Sequence, residues 1–167
     1  QFRKCRLFMS KINIEFPCCG NDITATLLDD YEPLCAQQMW DFLETPKKAF
    51  VHPTISTGDL AVCWPRPPRE RPTDVGDQTT PMTDKSPYLC TGDDDMTVKL
   101  GDVLWNGYFF TFVYGDSLTE PLVSGGGKVA RVDPECLEDL KTGGKDLWYH
   151  TIFYHTIGLV VASRKES

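Results

Sequence analysis

What this chain lacks narrows the field before anything positive is read from it. It has no run of about 18 apolar residues, so no segment reads as a membrane-spanning helix. Its seven cysteines include no C-x-x-C knuckle, and the adjacent Cys18–Cys19 is poor chelate geometry, so no zinc site is read. There is no G-x-S-x-G elbow for a serine nucleophile. Gly125-Gly126-Gly127 is followed by neither Lys-Ser/Thr nor a helix pattern, which excludes a phosphate loop. Asp93-Asp94-Asp95 lacks EF-hand spacing and reads as a solvated turn. Positive charge is also in short supply. Seventeen Lys and Arg face 24 Asp and Glu, a net charge of −7, which argues against nucleic acid or an anionic membrane as partner. A small molecule fits better, and homo-oligomerisation is left open.

What is present is globular. Hydrophobic residues make up 41% and charged residues 25% of 167 positions, enough for one core and one domain over 1–167. The cysteines read as reduced packing thiols in a cytoplasmic protein, by the redox logic of compartments.

Along the chain, Lys11–Phe16 alternates polar and β-branched residues and Ile23–Leu28 returns after a Gly20-Asn21-Asp22 turn, a strand hairpin. Pro33 then opens a helix whose Cys35, Met39, Phe42 and Leu43 form one apolar stripe, stopped by Pro46. Ala49–Ile55 and Leu60–Trp64 read as short strands around Thr57-Gly58-Asp59. Between residues 65 and about 92 six prolines interrupt the chain and aliphatics are scarce, so this stretch reads as a long loop insertion, a surface flap. Met96–Leu100, Val103–Trp105, Tyr108–Tyr114 and Lys128–Val132 read as strands. Asp133-Pro134 starts a short helix that Gly143-Gly144 would close. Leu147–Ile157 reads as a long aromatic strand, and Gly158–Ser163 as another. Many short strands, two helices and no βαβ rhythm imply a mainly β fold: a closed or nearly closed antiparallel β-barrel.

The segment GDVLWNGYFFTFVYGDSLTEPL (residues 101–122), followed by KVARVDPECLEDLK (128–141), resembles the cyclophilin-like barrels of uncharacterised microbial proteins. The opening, INIEFPCCGNDITATLLDDYEPLCAQQMWDFLE, looks like their first hairpin and helix. Cucumopine synthase of opine metabolism and related Pictet–Spengler enzymes belong to this broad group. The resemblance implies a Pictet–Spengler-type condensation and cyclisation of an aromatic amino acid or amine with a 2-oxo acid or aldehyde, with no metal and no cofactor. Prolyl isomerisation is disfavoured, because the Phe-His-Arg and Gln-Gly-Gly-Asp segments of cyclophilin isomerases are absent. Where their arginine strand should lie, this chain has Lys47, Lys48 and His52.

Candidate site residues follow from chemistry and from the resemblance together. Glu120, in the rim-like loop after Tyr114, would act as general acid or base if an apolar wall raises its pKa; otherwise it is a solvated carboxylate. His52 would shuttle protons near neutral pH, or would simply satisfy a carbonyl within a strand. Trp105 and Tyr114 offer aromatic surface for an indole or iminium, although such rings commonly build cores. Ser117 and Thr119 would hydrogen-bond a substrate carboxylate. His150, read on a strand with Trp148, Ile152 and Tyr154, would line an aromatic pocket. On that strand the odd spacing sends His150 and His155 to opposite faces, so they would not share a metal. A related cyclase or isomerase reaction would use the same pocket. The rival reading is a non-catalytic module that captures a ligand or peptide at the barrel mouth.

Overall fold

The computed structural model describes residues 10–29, 32–53, 58–65, 98–107, 109–118 and 127–166. Alternation writes the first strands. In β1 (Lys11–Phe16), Ile12, Ile14 and Phe16 are fully buried while Lys11, Asn13 and Glu15 face outward. Strand β2 (Asn21–Leu27) pairs with it antiparallel from Lys11↔Thr26 to Phe16↔Asn21, and Gly20 takes the positive φ of the connecting turn. Helix α1 (Pro33–Phe42) begins at its proline and buries Cys35 and Met39 of the expected stripe together with Ala36; Leu43, just past its end, is buried as well, while Phe42 is half-buried. Then follow β3 (Lys47–Pro53), β4 (Gly58–Pro65), β5 (Asp102–Trp105), β6 (Phe110–Leu118) and β7 (Gly127–Val132). A 3-10 turn at Pro134–Cys136 leads into α2 (Leu137–Ile152), and β8 (Gly158–Lys165) closes the chain.

The eight strands form one closed antiparallel barrel in the order β1-β2-β7-β5-β6-β4-β3-β8, with β8 back on β1. Closure leaves none of these eight strands with an exposed edge for foreign strands to join. The interior is filled by inward-facing side chains, with Phe16 and Phe112 meeting edge to face at 5.7 Å. Because every neighbour is antiparallel, β1, β3, β6 and β7 run toward one end of the barrel and the others run back.

Each end is covered by one helix. At the first end α1 lies on β5 and β7, and Trp105 donates its indole N–H to Gln38 at 2.6 Å while packing on Phe42. At the second end α2 packs on β2, β3, β6 and β8. Outside the wall, Asp102 is fully buried and holds Lys128 at 3.0 Å and Arg131 at 3.2 Å. Burial pushes the Lys128 ammonium below its ordinary pKa, even though Asp102 opposes that shift.

Three expectations are corrected. Leu147–Ile157 is not a strand: the helix that starts at Leu137 runs on through Ile152. Gly143 and Gly144 therefore do not cap a short helix but sit in the middle of a longer one. A Cβ on Gly143 would lie 2.7 Å from the Phe16 ring, and one on Gly144 only 2.2 Å from Tyr114. The two glycines let the helix backbone settle onto the aromatic rings that rise from the barrel mouth. That close approach outweighs a helix-propensity cost of about 1 kcal/mol per glycine. Residues 98–100 of the expected strand Met96–Leu100 form coil and turn. The expected Pro-rich insertion falls outside the described residues for all but its first position.

Candidate functional site

Strand β6 extends beyond Tyr114, its expected end, to Leu118. Gly115, Asp116 and Ser117, expected in a rim loop, are therefore held as strand opposite the start of β4. The pairing contains a bulge between Gly58 and Leu60, and Asp59 stands in it. The Asp59 carboxylate lies against Gly115, where a Cβ would come within 2.1 Å of Oδ2, and the Ser117 amide donates to Oδ2 at 3.1 Å. Gly58, at φ +85°, has its missing Cβ pointed at the Ser117 carbonyl. A bulge, two glycines and one carboxylate thus fix the geometry of this corner.

Against the corner lies one flank of α2. Lys141, Lys145 and Trp148 recur at i, i+4 and i+7 and so share a face. With Gly58, Asp59, Tyr114, Gly115, Asp116 and Ser117 they enclose a cleft of about 590 Å³. Acidic groups stand on its strand wall and ammonium groups on its helix wall. Tyr114 is nearly buried at its floor, and burial together with the charge of Asp59 pushes its hydroxyl up to about 12. It therefore stays a neutral donor and acceptor at any working pH.

The sequence-predicted residues divide around this cleft. Tyr114 and Ser117 line it. His52 is near the same end of the barrel, but the alternation of β3 buries Val51 and Pro53 and turns His52 outward, exposed, opposite Val62. Trp105 lies at the other end, fully buried under α1. His150 is on the opposite flank of α2. Glu120 and Thr119 lie outside the described residues, two positions or fewer beyond the last described residue of β6. Lys141, Lys145 and Trp148 were missed in sequence. Their i, i+4, i+7 spacing was the available signal, and it was obscured once the helix was cut short at Gly143.

The other flank of α2 faces the β1–β2 turn. Asp146 and His150, at i and i+4, sit with Cys18 in a group whose ligand-type atoms all lie within 4.8 Å of one another. Cys18 is exposed as a residue, yet its thiol is partly desolvated against the helix and faces the Asp146 carboxylate. Both effects push its pKa up to about 12. Cys18, Cys19, Cys63 and Cys136 are free thiols.

No protein-family model and no curated protein matches the chain in sequence. Solved structures do match in shape. The fold is that of the McbB barrel. McbB, solved in complex with tryptophan, superposes with a TM-score of 0.71 at 22% identity over 93% of this chain. The match spans 45% of McbB, so this chain covers less than half the length of that protein. A hypothetical protein from Archaeoglobus fulgidus matches over 94% of this chain at 17% identity, with a TM-score of 0.49. No helix among the described residues is long and apolar enough to cross a membrane.

Proposed function

We propose that this barrel, a single domain over 1–167, belongs to a small-molecule enzyme. In this reading the α2–β6 cleft binds an aromatic amino acid or amine and condenses it with a 2-oxo acid or aldehyde in a Pictet–Spengler-type cyclisation. The carrying observation is the two-walled charge of the cleft. Asp59 and Asp116 suit a substrate ammonium, Lys141 and Lys145 suit a carboxylate, and Trp148 offers a face for a ring. That is the charge pattern of a zwitterionic amino acid carrying an aromatic group. The likeness of fold to a protein solved with tryptophan supports the same class of ligand.

The chemistry asks three things of the protein. It must hold two reactants in one orientation. It must protonate the carbinolamine oxygen so that water leaves and an iminium forms. It must then take the ring proton after the aromatic carbon attacks the iminium carbon, restoring aromaticity. Glu120, close in sequence to Ser117, is assigned the proton transfers, with Thr119 and Ser117 as hydrogen-bond partners of a carboxylate. Tyr114 offers its neutral hydroxyl to the departing oxygen. His52 is kept as a second proton carrier for a substrate that reaches past β3, and Trp105 supports the barrel from its far end. His150 takes no part in the cleft in this reading.

The test is incubation of the protein with tryptophan or histidine and 2-oxoglutarate, followed by mass spectrometry. A product lighter than the summed reactants by one water, and resistant to borohydride, marks ring closure rather than an open imine. Glu120→Gln is expected to abolish turnover while leaving binding intact. Binding without any product across a substrate panel would favour the capture module instead. Failure of both binding and turnover would remove the cleft as the site.

A further inference from the structure

The cluster on the second flank of α2 carries its own chemistry, independent of the cleft. Asp146 Oδ2 is buried and makes no hydrogen bond, although His150 Nε2 stands 3.6 Å away. That gap is too long for a hydrogen bond. The Thr156 hydroxyl donates to the His150 carbonyl at 3.2 Å, so its Oγ1 accepts from Nδ1–H at 2.8 Å. With Nδ1 engaged by Thr156, Nε2 is the ring nitrogen that faces the carboxylate oxygen, and in a neutral ring it does so with a lone pair. A proton or a metal ion between the two atoms would hold both. The Cys18 sulfur completes a triangle with them.

We propose that Cys18, Asp146 and His150 form a binding site for a divalent transition-metal ion of the zinc class, with one coordination position left open. Sulfur, imidazole nitrogen and carboxylate oxygen are the three ligand types this ion accepts, and a tetrahedral site places them roughly 3.3–3.7 Å apart. Asp146 Oδ2 and His150 Nε2 already meet that spacing. The Cys18 side chain comes from an exposed turn, where a change of rotamer closes the remaining distance. The ring of His150 is held by the Thr156 contact through its second nitrogen, the usual outer support of a metal-bound histidine. The helix supplies two ligands one turn apart and the β1–β2 turn supplies the third, so the ion would pin α2 to the first hairpin. A strand would hold positions 146 and 150 about 13 Å apart, whereas the helix brings them within one turn, about 6 Å.

The test uses the metal ion alone. The purified chain, reduced and stripped with chelator, is titrated with Co²⁺ and followed by absorption. The expected result is one equivalent bound per chain, a thiolate-to-cobalt charge-transfer band in the near ultraviolet, and tetrahedral d–d bands in the visible that Zn²⁺ displaces. Cys18→Ser should abolish the charge-transfer band, and His150→Ala should weaken binding at least tenfold. Circular dichroism of both variants checks that the fold persists, and Thr156→Val provides a milder variant with intermediate weakening. Absence of the bands at millimolar Co²⁺, or a charge-transfer band undiminished in Cys18→Ser, would overturn the proposal. None of these readouts depends on whether the cleft catalyses anything.

Discussion

The two ends of the barrel are built from similar parts and put to different use. At the first, α1 presents Cys35, Ala36 and Met39 to the mouth, and Trp105 meets Gln38 and Phe42 with no exposed surface. At the second, α2 presents two glycines between Leu140 and Leu147, and the polar residues on its flanks hang over the rim. A helix that meets a barrel through medium-sized apolar side chains makes a plug. One that meets it through bare backbone lies lower, and its flanking side chains come down to the level of the strand ends. The lower seat lets Lys141, Lys145 and Trp148 share a cleft with Asp59 and Ser117.

Substitutions at the two ends should therefore separate stability from ligand binding. Trp105→Ala removes the largest buried ring at the plugged end and should cost roughly 3–5 kcal/mol in urea unfolding, while the protein that remains folded binds ligand unchanged. Gly144→Val forces a side chain into the Tyr114 ring and should cost about 1–3 kcal/mol. Unlike the first variant it should also weaken tryptophan binding measured by calorimetry, because α2 must rise from the cleft. Lys145→Ala, at an exposed position, should leave stability within about 0.5 kcal/mol and lower the affinity for an amino-acid ligand about tenfold. Equal affinity in Lys145→Ala and the parent would break the contrast between the ends.

The smallest effect concerns acid. Burial alone would raise the Asp133 carboxyl, but hydrogen bonds from Lys11 and Thr26 outweigh it and hold the group below its ordinary value of 3.8. A carboxyl depressed in the folded state adds stability above its unfolded pKa and loses it as pH falls through the folded one. Asp133→Asn should thus be slightly less stable at pH 7, with the difference shrinking below about pH 4 in thermal melts.

Most of the barrel was legible because its signals are local. Alternation in Lys11–Phe16, the stripe behind Pro33, and the short apolar runs of β4, β7 and β8 each declare themselves within a few residues. Helix α2 does not. Its buried face is Leu140, Gly143, Gly144 and Leu147, a helical i, i+3, i+4, i+7 pattern only if glycine counts as core-facing. Nothing within the segment says so; the reason lies more than 25 residues away, in Phe16 and Tyr114. Its second half is rich in aromatics and β-branched residues that favour strands when no packing opposes them. The candidate site was legible to the same extent. Tyr114 lies on a strand whose pattern was plain, Ser117 was expected in a loop just beyond it, and the helix wall became visible only when the tertiary packing did.

The seam between β1 and β8 has a practical consequence. Lys11 and Lys165 are register partners, so the chain enters and leaves the barrel side by side, at the plugged end. The cleft opens at the other end, roughly 20 Å away by strand length. Anything joined to the chain directly at Ser10 or Glu166 would thus start from the face remote from the cleft.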